Sequence, residues 1–139
     1  DYALRVLIYV GQRPGEWVTI RQISDTYDIS RNHLMKVVSF LGNKGYLASQ
    51  RGPGGGVQLQ LPPDQIRLAD VILDAEGSLH LLEAPKLPGK HAALSSAHDR
   101  LTARLREAVD EFLAALNGYS LADLLVPGDT TQRRRSAGD

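Results

Sequence analysis

Two short runs of side chains are the ones best suited to recognition chemistry. The first is Ser30-Arg31-Asn32-His33, with Lys36 about one helical turn further on. Serine is a preferred helix N-cap, so Arg31, Asn32 and His33 fall in the first turn of a helix. Placed in a DNA major groove, such a turn sets hydrogen-bonding side chains against base edges. Ser30 and the first free N–H groups favour a phosphate. The second run is Arg51-Gly52-Pro53-Gly54-Gly55-Gly56. Its tip carries no large side chain, so its backbone can come close to a phosphate or a minor groove, with Arg51 supplying charge. Arg21 and Gln22, on a short preceding helix, join the set. The candidate DNA contacts are therefore Arg21, Gln22, Ser30, Arg31, Asn32, His33, Lys36, Arg51, Gly52, Gly54 and Gly55. Each has a plainer reading as a solvated helix turn or a loop. What carries weight is their conjunction, in order, within one short stretch.

Bond-making chemistry is poorly served. There is no nucleophile–base arrangement, no phosphate loop and no paired carboxylates on a plausible scaffold, so no enzyme is expected. The glycine run lacks both the Gly-x-Gly-x-x-Gly spacing and a following helix. The chain has no cysteine, which excludes disulfides, thiolate metal sites and cysteine nucleophiles. Its formal net charge is zero, which by itself argues against a nucleic-acid partner. The distribution argues the other way. Residues 1–61 carry a surplus of +3, while residues 62–99 carry −3, a modest electrostatic footprint at the front of the chain. The rival reading from another class is a dimeric protein-interaction module. Salt separates the two, because phosphate contacts weaken steeply as salt rises.

The elements that position these residues are legible from periodicity. Residues 2–12 are apolar nearly all round and read as a buried helix. Arg13-Pro14-Gly15-Glu16 is a turn, and Trp17-Val18 a short strand. Thr19-Ile20-Arg21-Gln22 has capping-box form and opens a helix over about 20–26. Ser30 opens the next, about 31–44, with Leu34, Val37, Val38 and Leu41 inward and Gly45 at its end. Residues 46–50 and 57–61 form a hairpin. Residues 66–75 make another helix, and residues 94–117 the longest. The long helix has a wide apolar stripe that includes Leu101, Leu105, Val109, Phe112 and Leu116. That stripe outruns a small core, so a partner helix is expected to cover it. A short helix follows Ser120. From Pro127 onward the composition is that of a disordered tail.

The expected class is mainly α with a small β wing: a winged helix-turn-helix plus a long dimerisation helix. The expected organisation is 1–75 for DNA binding, 76–93 as a sensor-type loop, 94–126 for dimerisation and 127–139 as tail. No apolar run approaches the roughly 18 residues of a membrane span, and no signal peptide is evident. A cytoplasmic location is expected, with no membrane partner.

Several separate segments resemble one family. They are Asp1-Tyr2-Ala3-Leu4-Arg5, Ile29 through Val38, Gly45-Tyr46-Leu47 through Gly56, and Tyr119-Ser120-Leu121-Ala122-Asp123-Leu124. Together they resemble the Rrf-two family of bacterial transcription regulators. The Ser-Arg-Asn-His segment is most similar to its nitric-oxide-sensitive branch. The resemblance covers about residues 1–125. It implies a homodimer on a palindromic promoter site in double-stranded DNA, acting most often as a repressor. It also implies DNA contacts from Ser30, Arg31, Asn32, His33, Lys36 and the wing around Arg51 to Gly55.

The same resemblance exposes a conflict. Sensing members hold an iron–sulfur cluster through three cysteines before the long helix. The matching positions fall near Ala84, Ala93 and Asp99, with His98 an alternative for the last, and none is cysteine. The resemblance also matches Asp1 to a fourth ligand given by the partner subunit. Thiolates are the usual cluster ligands, so as it stands this chain is expected to hold no conventional cluster and no cofactor. Three explanations stay open: a natural cluster-free relative, replaced cysteines, or another ligand bound through Asp1, His80, Glu83, His91, His98 or Asp99.

Overall fold

A computed structural model describes residues 1–76, 87 and 89–127. The chain divides into two compact units. One joins residues 1–66 to the segment from Ser120 onward, and the other is Arg67–Tyr119.

The first unit begins with helix α1 (Tyr2–Gly11), which buries Ala3, Val6, Leu7, Tyr9, Val10 and Gly11. Its start is fixed by Asp1, whose Oδ1 accepts a hydrogen bond from the Ala3 N–H at 2.8 Å. The helix is not sunk all round, because Tyr2 and Arg5 stay exposed. Helix α2 (Ile20–Tyr27) opens on the full Thr19/Gln22 capping box and buries Ile23. Asp28 then turns the chain in the left-handed region, φ 54°. Aspartate tolerates that region better than most residues. The Ser24 hydroxyl donates to the Ile29 carbonyl at 2.6 Å, and Ile29 itself is buried. Helix α3 (Arg31–Asn43) follows, burying Leu34, Val38 and Leu41 against α1 and α2. Leu34 and Leu41 are fully enclosed. Burying such a side chain stabilises by about 1.5–3 kcal/mol.

Strands β1 (Leu47–Gln50) and β2 (Gly56–Leu59) pair antiparallel, with Leu47 opposite Leu59 and Gln50 opposite Gly56. The expected strand at Trp17-Val18 reduces to a single bridge, Val18 to Val57. Gly56 makes that approach possible, because a Cβ there would collide with the Val18 carbonyl oxygen.

The chain's return differs from the expected boundaries. Helix α6 (Leu121–Leu124) belongs with the N-terminal unit, not with the long helix. Three contacts explain this. The Leu121 N–H donates to the Ile66 carbonyl at 2.7 Å, and Leu121 is fully buried. Gln12 clasps Val126 through two hydrogen bonds, 2.7 and 3.1 Å. Leu125 packs where a Cβ on Gly11 would stand, 3.0 Å away.

The second unit holds helix α4 (Leu68–Glu76) packed with helix α5 (Ala92–Asn117). The Arg67 guanidinium donates to the Asn117 carbonyl at 2.8 Å, and the Leu68 N–H to the Tyr119 carbonyl at 3.1 Å. A 3-10 turn, Gly89–His91, leads into α5. Most of the expected 76–93 loop, and the tail from residue 128, lie outside the described residues.

Candidate nucleic-acid interface

The first turn of α3 is built as its residue types require. The Ser30 Oγ accepts from the His33 N–H at 3.2 Å, and the Ser30 carbonyl from the Leu34 N–H at 3.0 Å. The helix axis is thereby fixed by its cap on one side and by Leu34, Val38 and Leu41 on the other. Arg31, Asn32, His33 and Lys36 all stand exposed. Along the helix, Asn32, Met35, Lys36, Ser39 and Asn43 recur three and four residues apart and share one open face. That face is polar except for Met35, which is 56% exposed.

Two residues outside the expected set stand beside this turn. The Tyr2 ring meets the His33 imidazole edge-on, centroids 4.7 Å apart. The Arg5 guanidinium lies 5.5 Å from the Tyr2 ring centre. So the start of α1 restrains His33 and adds a cation to the same neighbourhood. One signal was available: Tyr2 and Arg5 sit three apart, with Arg5 the charge in an otherwise apolar helix.

On α2 the expected pair fares unequally. Arg21 is exposed, with Asp25 one turn away at 3.8 Å. Exposed pairs of this kind hold weakly, so Arg21 remains available. Gln22 is committed to the cap: its Oε1 accepts from the Thr19 N–H at 2.8 Å and lies 3.2 Å from the Thr19 hydroxyl. Its amide nitrogen is the group left to donate outward.

At the wing, Arg51, Gly52 and Gly54 are exposed. Gly55 is buried instead. Its N–H donates to the Gly52 carbonyl at 3.0 Å, and a Cβ would strike the Gln50 carbonyl oxygen. Its part is to close the turn that presents Arg51.

Among the described residues, the positions matched to cluster ligands do not form a ligand set. The Asp1 carboxylate caps α1. Ala93 and Asp99 lie exposed along α5, Ala93 with no donor atom, and His91 is exposed while His98 is half-buried. Ala84, His80 and Glu83 lie outside the described residues. Among the described residues no three His, Asp or Glu side chains stand close enough to hold a metal ion. With no thiolate in the chain, the residues present do not fit an iron–sulfur cluster.

A second exposed surface runs along α5, which fully buries none of its 26 residues. Its apolar side chains separate into two stripes. Leu105, Val109, Leu113 and Leu116 are half-buried, whereas Leu94, Leu101 and Phe112 are 51%, 55% and 54% exposed. At 3.6 residues per turn the stripes point about 60° apart. The residues expected to face a partner thus divide: Leu105, Val109 and Leu116 lie on the inner stripe, Leu101 and Phe112 on the open one.

Comparison with known proteins leads to one family. The family model described as Rrf2, iron-dependent transcriptional regulator, matches residues 1–127. The HTH-type transcriptional regulator NsrR of Bacillus subtilis (strain 168) is 41% identical over 126 residues, spanning 90% of this chain and 86% of that protein. The structure of CymR, the global cysteine regulator of B. subtilis, matches with a TM-score of 0.60 at 27% identity, covering 88% of this chain and 89% of that one. The structure of T. potens IscR matches at a TM-score of 0.65 over 99% of this chain and 86% of that one; at 19% identity this is a likeness of fold.

Proposed function

Because the chain belongs to the Rrf2 family of transcriptional regulators, we propose that it acts as a homodimeric repressor on a palindromic promoter site, reading bases with the first turn of α3 in each protomer. It is a DNA-binding regulator and not an enzyme. The observation that carries the proposal is the Ser30-capped turn, which sets Arg31, Asn32 and His33 in solvent on one rigid helix end. In a major groove, Arg31 suits guanine O6 and N7, and Asn32 suits adenine N6 and N7. Lys36, Arg21 and Arg51 serve the phosphates. Gly52 and Gly54 let the wing backbone come close.

Dimerisation uses α5. At about 1.5 Å per residue this helix is about 39 Å long, and its open stripe of Leu94, Leu101, Ala108 and Phe112 is covered by the same stripe of a second copy. A palindrome, with half-sites about one DNA turn apart, matches the two-fold symmetry of such a dimer. In this cysteine-free chain the grip on DNA does not depend on a conventional iron–sulfur cluster. Sedimentation velocity on Leu101→Glu and Phe112→Glu tests the assembly. Both side chains are exposed in the protomer, so the fold survives. A monomer with much weakened operator binding is expected. A dimer that persists with full affinity would refute the assignment of this stripe.

A further inference from the structure

The open face of α3 carries one apolar side chain that neither the cap nor the core explains. Leu34, Val38 and Leu41 supply the core from this helix, whereas Met35 leaves 56% of its surface in solvent. It sits between Asn32 and Ser39 on that face, next to Lys36. We infer that Met35 reads thymine, packing its thioether side chain on the C5-methyl group of one thymine in each half-site. This rests on the reading of α3 as the helix that enters the major groove.

The chemistry selects the ligand. The four base pairs present hydrogen-bond donors and acceptors in the major groove, and thymine adds the methyl group as an apolar feature. Arg31, Asn32 and His33 can satisfy the polar pattern. A thioether does little for polar base edges but is flexible and polarisable, which suits an apolar contact of imprecise shape. Met35 lies about one turn along the helix from Arg31 and Asn32. Its base is therefore a near neighbour of theirs, and adjacent positions of the site share polar and methyl readout. In the free protein the exposed thioether gains nothing, so its burial contributes only when DNA is bound.

The test replaces thymine by deoxyuridine, which removes the C5 methyl and leaves base pairing unchanged. An operator is first selected from a random duplex library with the full-length protein. Each thymine is then exchanged singly, and binding is measured by anisotropy for the parent, Met35→Ala and Met35→Leu. For the parent, one exchange per half-site is expected to weaken binding about fourfold, the loss of one buried methyl-sized group. Met35→Ala should bind the thymine operator about that much more weakly and no longer distinguish uracil at that position. Met35→Leu should keep the distinction. Equal binding of every exchanged operator by the parent would overturn the inference, as would an unchanged thymine-to-uracil ratio in Met35→Ala. A parent protein that selects no sequence at all would overturn the DNA-reading assignment of α3 itself, and is readily told apart from these.

Discussion

Arg31, Asn32, His33 and Lys36 differ in what their removal should do, although all four are exposed on one helix end. Arg31→Ala should cost about 1–3 kcal/mol in operator binding and relax base preference at one position per half-site. Lys36→Ala should weaken all sequences about equally and make the salt dependence shallower. Quantitative binding to a set of single-base operator variants separates the two patterns. An Arg31→Ala protein that bound with parental affinity and selectivity would show that this turn does not face the bases. The placement of these residues on an exposed helix start was legible because their type and their distance from a cap residue are local facts. Tyr2, Arg5 and Met35 were not singled out. The Tyr2–His33 contact joins positions far apart in the chain, and the exposure of Met35 depends on which face of α3 the core occupies. Gly55 misled for the opposite reason: a glycine in an exposed-looking tip turned out to be buried by close backbone packing.

At the scale of elements, the caps were the most readable features, because a capping box needs only residues within one helical turn. The Thr19/Gln22 box forms in full, and Ser30 caps α3 as its position demands. Ser30→Ala should lower stability by about 1 kcal/mol, read as a shift in the urea midpoint with no change in slope. No shift would mean that water replaces the cap at no cost. The hairpin register is more sensitive. Gly56→Ala would drive a Cβ into the Val18 carbonyl, separating the Val18 bridge from β2. That variant should lose more stability than Ser30→Ala, and wing-dependent DNA affinity with it; a parental melting temperature would contradict the close approach. Helix α5 was legible as one wide stripe but not as two. Periodicity reports that residues are apolar, and only packing tells which of them α5's own unit already takes up. The docking of α6 on α1 was likewise invisible, since the Gln12–Val126 clasp spans 114 positions of the chain.

Over the whole molecule, the residues proposed to contact DNA all belong to the unit built from residues 1–66 and the returning C-terminal segment, while α4 and α5 form the other unit. The basic surplus of residues 1–61 therefore sits with the proposed DNA contacts, which the zero net charge of the chain conceals. Among the described residues no helix is long and apolar enough to cross a membrane. If each protomer of a dimer sets Arg21, Lys36 and Arg51 against phosphates, about six contacts form, and the logarithm of affinity should fall with the logarithm of salt at a slope of about −5. The most direct measurement is fluorescence anisotropy of the metal-free protein on a promoter fragment from its own gene, against a scrambled duplex, from low to physiological salt. Tight binding to the promoter, with weaker binding to the scrambled duplex and a steep salt slope, is predicted. Equal, weak or salt-independent binding to the two duplexes would contradict the claim that this chain grips a specific DNA site through α3 and its wing without a cluster.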